Sequence, residues 1–221
     1  KVQGFWYSPF DATEVNNFFT EGNSWHYSFT AQQDIDGLKK LYGGQAGFAK
    51  QLNELFTTQR QLSGRDQSDV TGLIGQYAHG NEPSHHMAYL FNYAGQPWRT
   101  QEIVHQICTE FYPNNPDGLI GNEDCGQMSA WLVFSAMGFY PVTPGSTDYA
   151  MGTPLFEEVK IHLENGRDFI IKTKNYKPGH FYVNQVELNG QLTNASFFTH
   201  HDLEQGGELV FDMSNTPNKF R

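Results

Sequence analysis

The segment from Leu119 to Trp131, which reads LIGNEDCGQMSAW, constrains the fold of this chain more than any other. It places two adjacent carboxylates, Glu123 and Asp124, in a glycine-bounded loop directly before an apolar stretch. Residues 129–139 are apolar on nearly all helical faces, which predicts a helix packed inside a bundle or barrel. A short loop in front of such a helix is able to direct a carboxylate into a cavity.

Two further clusters are built in a similar way. They are residues 21–27, EGNSWHY, and residues 79–86, HGNEPSHH. Each sets an acidic residue beside Asn, Gly and an aromatic or imidazole ring, at the expected start of a helix. Three acidic turns that open helices are typical of a helical barrel that cleaves sugars, in which carboxylates act as acid and base and aromatic rings support the sugar.

The composition narrows the class of ligand. The chain has 24 Asp and Glu against 14 Lys and Arg, for a net charge of -10, which argues against a nucleic-acid partner. No segment is apolar over 18 residues, so no membrane span is expected. Aromatic residues make up 15% and charged residues only 17%. That balance suits neutral, hydroxyl-rich ligands, and it equally suits an aromatic-rich core.

The period of the apolar pattern changes near residue 142. Before it, helical spacing predicts helices over 34–42, 48–56, 97–111 and 129–139, and another that starts near Pro83. After it, alternation predicts strands over 159–163, 169–173, 182–188 and 209–211. The predicted fold is therefore mainly α, with a helical region over 1–142 and a small antiparallel β region over 143–221.

The three acidic clusters, together with Tyr93–Trp98 (YAGQPW), resemble the motifs of glycoside hydrolase family 92. That family comprises calcium-dependent, inverting exo-α-mannosidases. Its members are much longer than this chain, with an N-terminal β-sandwich and a complete (α/α)6 barrel. The resemblance implies that residues 1–142 form the C-terminal portion of such a barrel. It also implies that the remainder of the enzyme is a partner and that the protein is secreted, periplasmic or on the surface of a bacterium.

The resemblance also assigns roles. It implies Glu21 as general acid and Asp124 as general base, with Asn122 at a position that is acidic in some members and then shares the base role. Inverting hydrolysis needs these carboxyl groups roughly 6.5 to 9.5 Å apart, so that a water fits between base and sugar. The implied substrate-binding residues are Glu82, His85, His86, Trp25, His26 and Trp98. Calcium prefers oxygen ligands, and the implied set is Asn81, Glu82, Asn122, Asp124 and Gln127.

Other interpretations stay open. The His-rich cluster is not a zinc-protease motif, because its spacing is His-x-x-Glu-x-x-His-His and Pro83 interrupts the helix that would hold the ligands. A non-catalytic carbohydrate-binding or scaffold fragment remains an alternative to an enzyme. A hydrolase of phosphate-linked mannose would be expected to carry Gln at position 21, and this chain has Glu21. The expected substrates are mannose-containing glycans, with an α-1,2 linkage favoured.

Overall fold

A computed structural model describes residues 4–16 and 18–219 of the chain. Short 3-10 turns at Gln32–Asp34, Glu82–Ser84 and Met87–Tyr89 accompany the α-helices. Within the described residues the α-helices are α1 (Ser24–Tyr27), α2 (Ile35–Leu41), α3 (Gln45–Thr57), α4 (Leu90–Tyr93), α5 (Pro97–Glu110), α6 (Gln127–Met137) and α7 (His200–Glu204).

The strands lie mostly in the second half of the described chain. Three of them, Glu158–His162, Asp168–Lys174 and Tyr182–Leu188, match predicted strands within a residue or two at each end. The strands are β1 (Glu14–Val15), β2 (Ser63–Gly64), β3 (Leu73–Ile74), β4 (Tyr77–Ala78), β5 (Phe139–Tyr140), β6 (Asp148–Met151), β7 (Glu158–His162), β8 (Asp168–Lys174), β9 (Tyr182–Leu188), β10 (Gln191–Thr193), β11 (Phe197–Thr199) and β12 (Gly207–Ser214).

The longer predicted helices are confirmed, and local chemistry explains where they begin. The Asp34 carboxylate accepts from the Gly37 N–H at 2.8 Å and so caps α2. Helix α5 begins at Pro97, where a missing N–H and a preset φ favour the first turn. Helix α3 buries the predicted stripe that includes Leu52 and Leu55, both with 0% exposure. Burial of these stripes in one core holds the helical layer together.

The region after Pro83 differs from the predicted helix. It forms two 3-10 turns followed by the short helix α4, with Ser84 N–H donating to Asn81 O and His85 N–H to Glu82 O. Every residue from 84 to 92 is buried. Pro83 lies in the first of these turns and has no N–H to donate, which is compatible with a short turn at this point.

The main C-terminal sheet is mixed, so the prediction of an antiparallel sheet is wrong in one pairing. Its strand order is β10-β9-β12-β8-β7. Strand β12 pairs antiparallel with β9 and parallel with β8. The chain thus inserts its last strand between two earlier ones. Alternation in the sequence predicts which face of a strand is buried, and it does not specify the neighbour.

A second sheet, β11-β6-β5, joins the two regions on either side of residue 142. Strand β5 ends the helical region and pairs with β6 in the β-rich region. Asn92 Nδ2 donates to Met151 O at 2.7 Å, and Val183 N–H donates to Gln101 Oε1 at 3.0 Å. With 31% helix and 22% strand, the chain is a mixture of helices and sheets rather than mainly α. The (α/α)6 barrel stays a prediction.

The two cysteines of the chain lie in different environments. Cys108 is buried and Cys125 is exposed, and both are free thiols. In the part of the chain that the structure describes, no helix combines the length and the apolar character needed to cross a bilayer.

Candidate active site

The loop that carries Glu21 is fixed by a buried amide. Asn23 caps α1, because its Oδ1 accepts from the Trp25 N–H at 3.0 Å and from the His26 N–H at 3.3 Å. Its Nδ2 donates to Gln76 Oε1 at 3.2 Å, which ties the loop to the strand region beside it. The Glu21 backbone N–H donates to the Tyr27 hydroxyl at 3.3 Å, and the Glu21 side chain is half-buried.

His26 serves this loop as an acceptor. Its Nδ1 accepts from the Asn23 N–H at 3.1 Å, and its Nε2 is buried without a partner. Gly22 has φ +91, and a Cβ there would lie 2.3 Å from His26 Nδ1, so only glycine fits. Burial lowers the pKa of His26 to about 4, so the ring is neutral near pH 7. The predicted contact between His26 and sugar remains a prediction.

The three imidazoles of the second cluster, residues 79–86, are buried and hydrogen-bonded, and they hold the loop that carries Glu82. Tyr112 OH donates to Met128 O at 3.1 Å and therefore accepts from His79 Nε2 at 2.7 Å. His85 Nε2 donates to the His79 carbonyl at 3.0 Å, and His86 Nε2 donates to Phe29 O at 2.8 Å. All three rings are at most 5% exposed.

These rings are also neutral. Burial lowers the pKa of His79 to about 2 and that of His85 to about 4, and it lowers the pKa of His86. Their ring nitrogens are committed to separate partners, and no group of three or more His, Cys, Asp and Glu within residues 4–16 and 18–219 is arranged to hold a metal. The bonded rings support the Glu82 loop and give no support to the zinc interpretation.

The third loop separates its two adjacent carboxylates. Glu123 accepts from the Ser129 N–H at 2.9 Å and from the Ser129 Oγ at 2.7 Å, and these bonds lower its pKa. Glu123 therefore caps the first turn of α6. Asp124 and Cys125 have φ of 44 and 58, a left-handed geometry that is costly for residues with a side chain and is typical of functional sites. Asp124 is left exposed at the tip of the loop.

The Glu82 carboxyl interacts electrostatically with one carboxyl group from each of the other two loops. Burial raises the pKa of Glu82 most, and the neighbouring Asp124 carboxyl and the charge of Glu21 raise it further. One of its oxygens, Oε1, is buried without a hydrogen-bond partner. Residues that are far apart in the sequence thus share one electrostatic site. Such a cluster of interacting carboxyl groups is characteristic of acid–base catalysis.

The two candidate tryptophans, Trp25 and Trp98, lie in different helices. Trp25 lies in α1, directly after Asn23, and packs half-buried against the helical core. Trp98 lies in the first turn of α5, whereas Phe111, which stacks on His79, follows the last residue of that helix. At 1.5 Å per residue, the helix separates the two ends by about 20 Å. Trp98 therefore lies at the end of α5 away from His79, and its predicted contact with sugar stays a prediction.

The predicted calcium ligands offer unused oxygens. Asn81 Oδ1 and Glu82 Oε1 are both buried without partners. Gln127 donates through Nε2 to His85 Nδ1 at 3.2 Å, which leaves its Oε1 free. Buried oxygens that lack a donor fit a hard cation, which prefers carboxylate and amide oxygen. By the type of atom that they offer, Asn81, Glu82 and Gln127 therefore fit a hard cation such as calcium.

Sequence reasoning missed two residues that contact the site loops. Gln76, with 1% exposure, accepts from Asn23 and donates to Arg60 O at 2.7 Å. Asp69 accepts from Asn122 Nδ2 at 3.0 Å. Both lie in segments without a recognisable motif, and only long-range contacts bring them to the site.

Acidic residues on three neighbouring loops, neutral histidines behind them and the half-buried ring of Trp25 are groups that a glycoside-hydrolase type of site needs. Comparison with known proteins agrees. Residues 1–215 match the catalytic domain of glycosyl hydrolase family 92, and the chain belongs to that family.

Solved structures of family 92 enzymes are similar throughout the chain. An α-mannosidase from Bacteroides thetaiotaomicron in complex with mannoimidazole has 38% identity and a TM-score of 0.91, over 100% of this chain and 30% of that one. An inverting mannosidase from the same organism has 40% identity and a TM-score of 0.85, over 99% of this chain and 31% of that one.

A curated relative from Arthroderma benhamiae, an uncharacterized secreted glycosidase, is 28% identical over 192 residues, or 86% of this chain and 23% of that protein. This chain therefore spans less than a third of these relatives, and the likeness covers only one part of each of them.

Proposed function

We propose that this chain forms part of the active site of a secreted, calcium-assisted exo-α-mannosidase that inverts configuration and removes terminal, non-reducing α-mannose, with an α-1,2 linkage favoured. The observation that carries the proposal is that the Glu82 loop contacts both of the other acidic loops, since Gly80 lies directly against Gly121 and the turn Glu82–Ser84 packs against α1. The raised pKa of Glu82, whose causes include Asp124 and Glu21, agrees with this arrangement. Family membership and the mannosidase relatives support the substrate class. The inverting relative supports the stereochemistry.

Glu21 is the proposed general acid, which protonates the oxygen of the leaving sugar. Its loop is rigid, since Asn23, His26 and Gln76 form a buried hydrogen-bonded network behind it. Rigid placement matters because proton transfer in the transition state requires hydrogen-bond distance to the reacting oxygen. The contribution expected from such an acid is on the order of 10² to 10⁴ in rate.

Asp124 is the proposed general base, which takes a proton from the attacking water on the opposite face of the sugar. Glu123 supports this role indirectly, because its bonds to Ser129 anchor the loop to α6 and leave Asp124 as the carboxyl of the two that interacts with Glu82. Glu82 interacts electrostatically with both the proposed acid and the proposed base. Its carboxyl group can accept a hydrogen bond from a sugar hydroxyl when ionised, or donate one when protonated.

Asn81, Glu82, Asn122, Asp124 and Gln127 are the proposed calcium ligands. When bound, calcium supplies a positive charge that holds sugar hydroxyls and helps to flatten the ring. The five protein residues present their oxygens at fixed positions. The hydrogen-bonded imidazoles of His79, His85 and His86 keep the Glu82 loop in place.

The test is mannose release by the complete native polypeptide from an α-1,2-mannobiose, followed by proton NMR so that the first anomer formed is seen. We expect β-mannose first, and we expect chelation to abolish release while the far-ultraviolet circular dichroism is retained. α-Mannose as first product would contradict the inverting mechanism. Activity that is indifferent to chelation would contradict the calcium assignment.

A further inference from the structure

Asn122 carries an amide in the loop of the proposed base, and the role argued for it here rests on the proposed function. An amide at this position has two different ends, one that donates and one that accepts, whereas a carboxylate has two ends that accept. For Asn122 to present oxygen to the site, its NH₂ group must be bound elsewhere. The structure identifies the group that binds it.

Asp69 accepts from Asn122 Nδ2 through Oδ1 at 3.0 Å. Its other oxygen, Oδ2, accepts from Gln67 Nε2 at 2.8 Å. The carboxylate is thus held by its own segment through one oxygen and holds Asn122 through the other. A carboxylate accepts and does not donate, so the amide end that faces Asp69 must be NH₂, and Asn122 Oδ1 is turned away from it.

Asp69 belongs to the same site by backbone contact as well. Gly80 N–H donates to Thr71 O at 3.1 Å, which pairs the Asp69 segment with the Glu82 loop. A Cβ on Gly121 would lie 2.6 Å from Thr71 Oγ1 and 3.4 Å from Gly80 Cα. The loop of Asp124 therefore rests directly on the two other segments, and Asp69 bonds to it two residues before the proposed base.

We propose that Asp69 is a positioning residue for the base side of the reaction: it fixes the Asn122 amide so that Oδ1 faces the site and holds the 121–124 loop in register. It acts through Asn122 and does not touch the sugar. Where an acidic residue at position 122 would supply oxygen in either orientation, an asparagine supplies it only with such a partner.

The experiment uses the complete native polypeptide with substitutions at this pair. Asp69→Ala removes the acceptor and should lower kcat about three- to tenfold with little change in KM, because a hydrogen bond of ordinary strength is lost from the transition-state arrangement. Asp69→Asn should recover most of the loss, since an amide oxygen still accepts from Asn122. Asp66→Ala is the matched control, because Asp66 is exposed on the same segment.

An exchange of the pair sharpens the test. Asn122→Asp alone sets two carboxylates against each other and should be impaired. Asp69→Asn combined with Asn122→Asp restores one donor and one acceptor with the roles exchanged, so the double variant should be more active than Asn122→Asp alone. Affinity for mannoimidazole, measured by calorimetry, should follow the same order without requiring turnover.

The possible results separate the positioning role of Asp69 from the proposed function. Equal activity of Asp69→Ala and Asp66→Ala would overturn the positioning role while leaving the mannosidase function intact. So would a loss in Asp69→Ala that neither Asp69→Asn nor the exchanged pair recovers. A wild-type polypeptide that releases no mannose would instead overturn the proposed function, and this is measured first.

Discussion

The Gln127 side chain donates from Nε2 to Nδ1 of His85 at 3.2 Å. His85 Nε2 already donates to the His79 carbonyl, so Nδ1 carries the lone pair and Gln127 must turn its NH₂ group toward it. The carbonyl oxygen of Gln127 then faces away, free to act as a ligand. One buried histidine tautomer thus fixes the orientation of a residue at the start of α6.

Gln127→Glu tests this relationship. The substitution keeps an oxygen and places a second acceptor against the lone pair of His85, so we expect the pKa of His85 to rise from about 4 and kcat/KM to fall about tenfold. Imidazole signals in a pH titration by NMR report the first change, and mannose release reports the second. Gln127→Met, which removes the contact without adding charge, is the control. An unshifted His85 would contradict the assigned tautomer.

Sequence reasoning found the three acidic loops because each combines short-range signals that a motif records. Glycine at position 22 is needed for the close approach of His26, and glycine at position 121 is needed for the approach to Thr71. Both glycines lie inside the motifs, so the sequence records them. The capped and amphipathic helices were likewise predictable, since Asp34 and the buried stripe of α3 are local features.

What the sequence did not predict depends on contacts between distant segments. The pairs formed by Gln76 with Asn23 and by Asp69 with Asn122 leave no periodicity. The parallel pairing of β12 with β8 could not be predicted, because several strands show the same alternation of apolar and polar residues. Helix α6 was predicted to be buried all round, yet Val133 is 57% exposed. The chain spans less than a third of the relatives to which it is similar.

Glu82→Gln should stabilise the protein as pH rises. A carboxyl whose folded pKa is raised keeps its proton when the unfolded chain has released it, so Glu82 destabilises the fold increasingly above its ordinary pKa of 4.5. The buried, unpartnered Oε1 adds to this penalty. We expect the thermal midpoint of the variant to exceed that of wild type by more at pH 8 than at pH 4.5, and mannose release to fall. An equal difference at both pH values would contradict the raised pKa.

For His26 we expect the opposite pH dependence of folding stability. Its folded pKa of about 4 lies below the ordinary 6.5, so the unfolded chain gains a proton first and stability is lost as pH falls from 6.5 to about 4. The shift corresponds to at most about 3 kcal/mol. His26→Gln keeps an acceptor for the Asn23 N–H and does not titrate in this range. We expect the thermal midpoint of wild type to fall more between pH 7 and pH 4.5 than that of the variant; parallel curves would exclude this role.

Glu21→Gln tests the acid directly through the leaving group. A sugar leaving group is a poor one and needs the proton, so kcat on an α-mannobiose should fall on the order of 10² to 10⁴. An aryl mannoside whose phenolate leaves unaided needs no proton, so its kcat should change far less. Burst and steady-state rates on both substrates separate the two cases.

Glu123→Gln is the matched control for that experiment. It removes a neighbouring carboxylate from the site region while its amide oxygen can still accept from Ser129 and cap α6. Because Glu123 is engaged in capping, the control should retain activity on both substrates, with at most a small loss of stability. A loss in Glu21→Gln that is equal on both substrates would remove Glu21 from the acid role, since an acid acts only where the leaving group needs its proton.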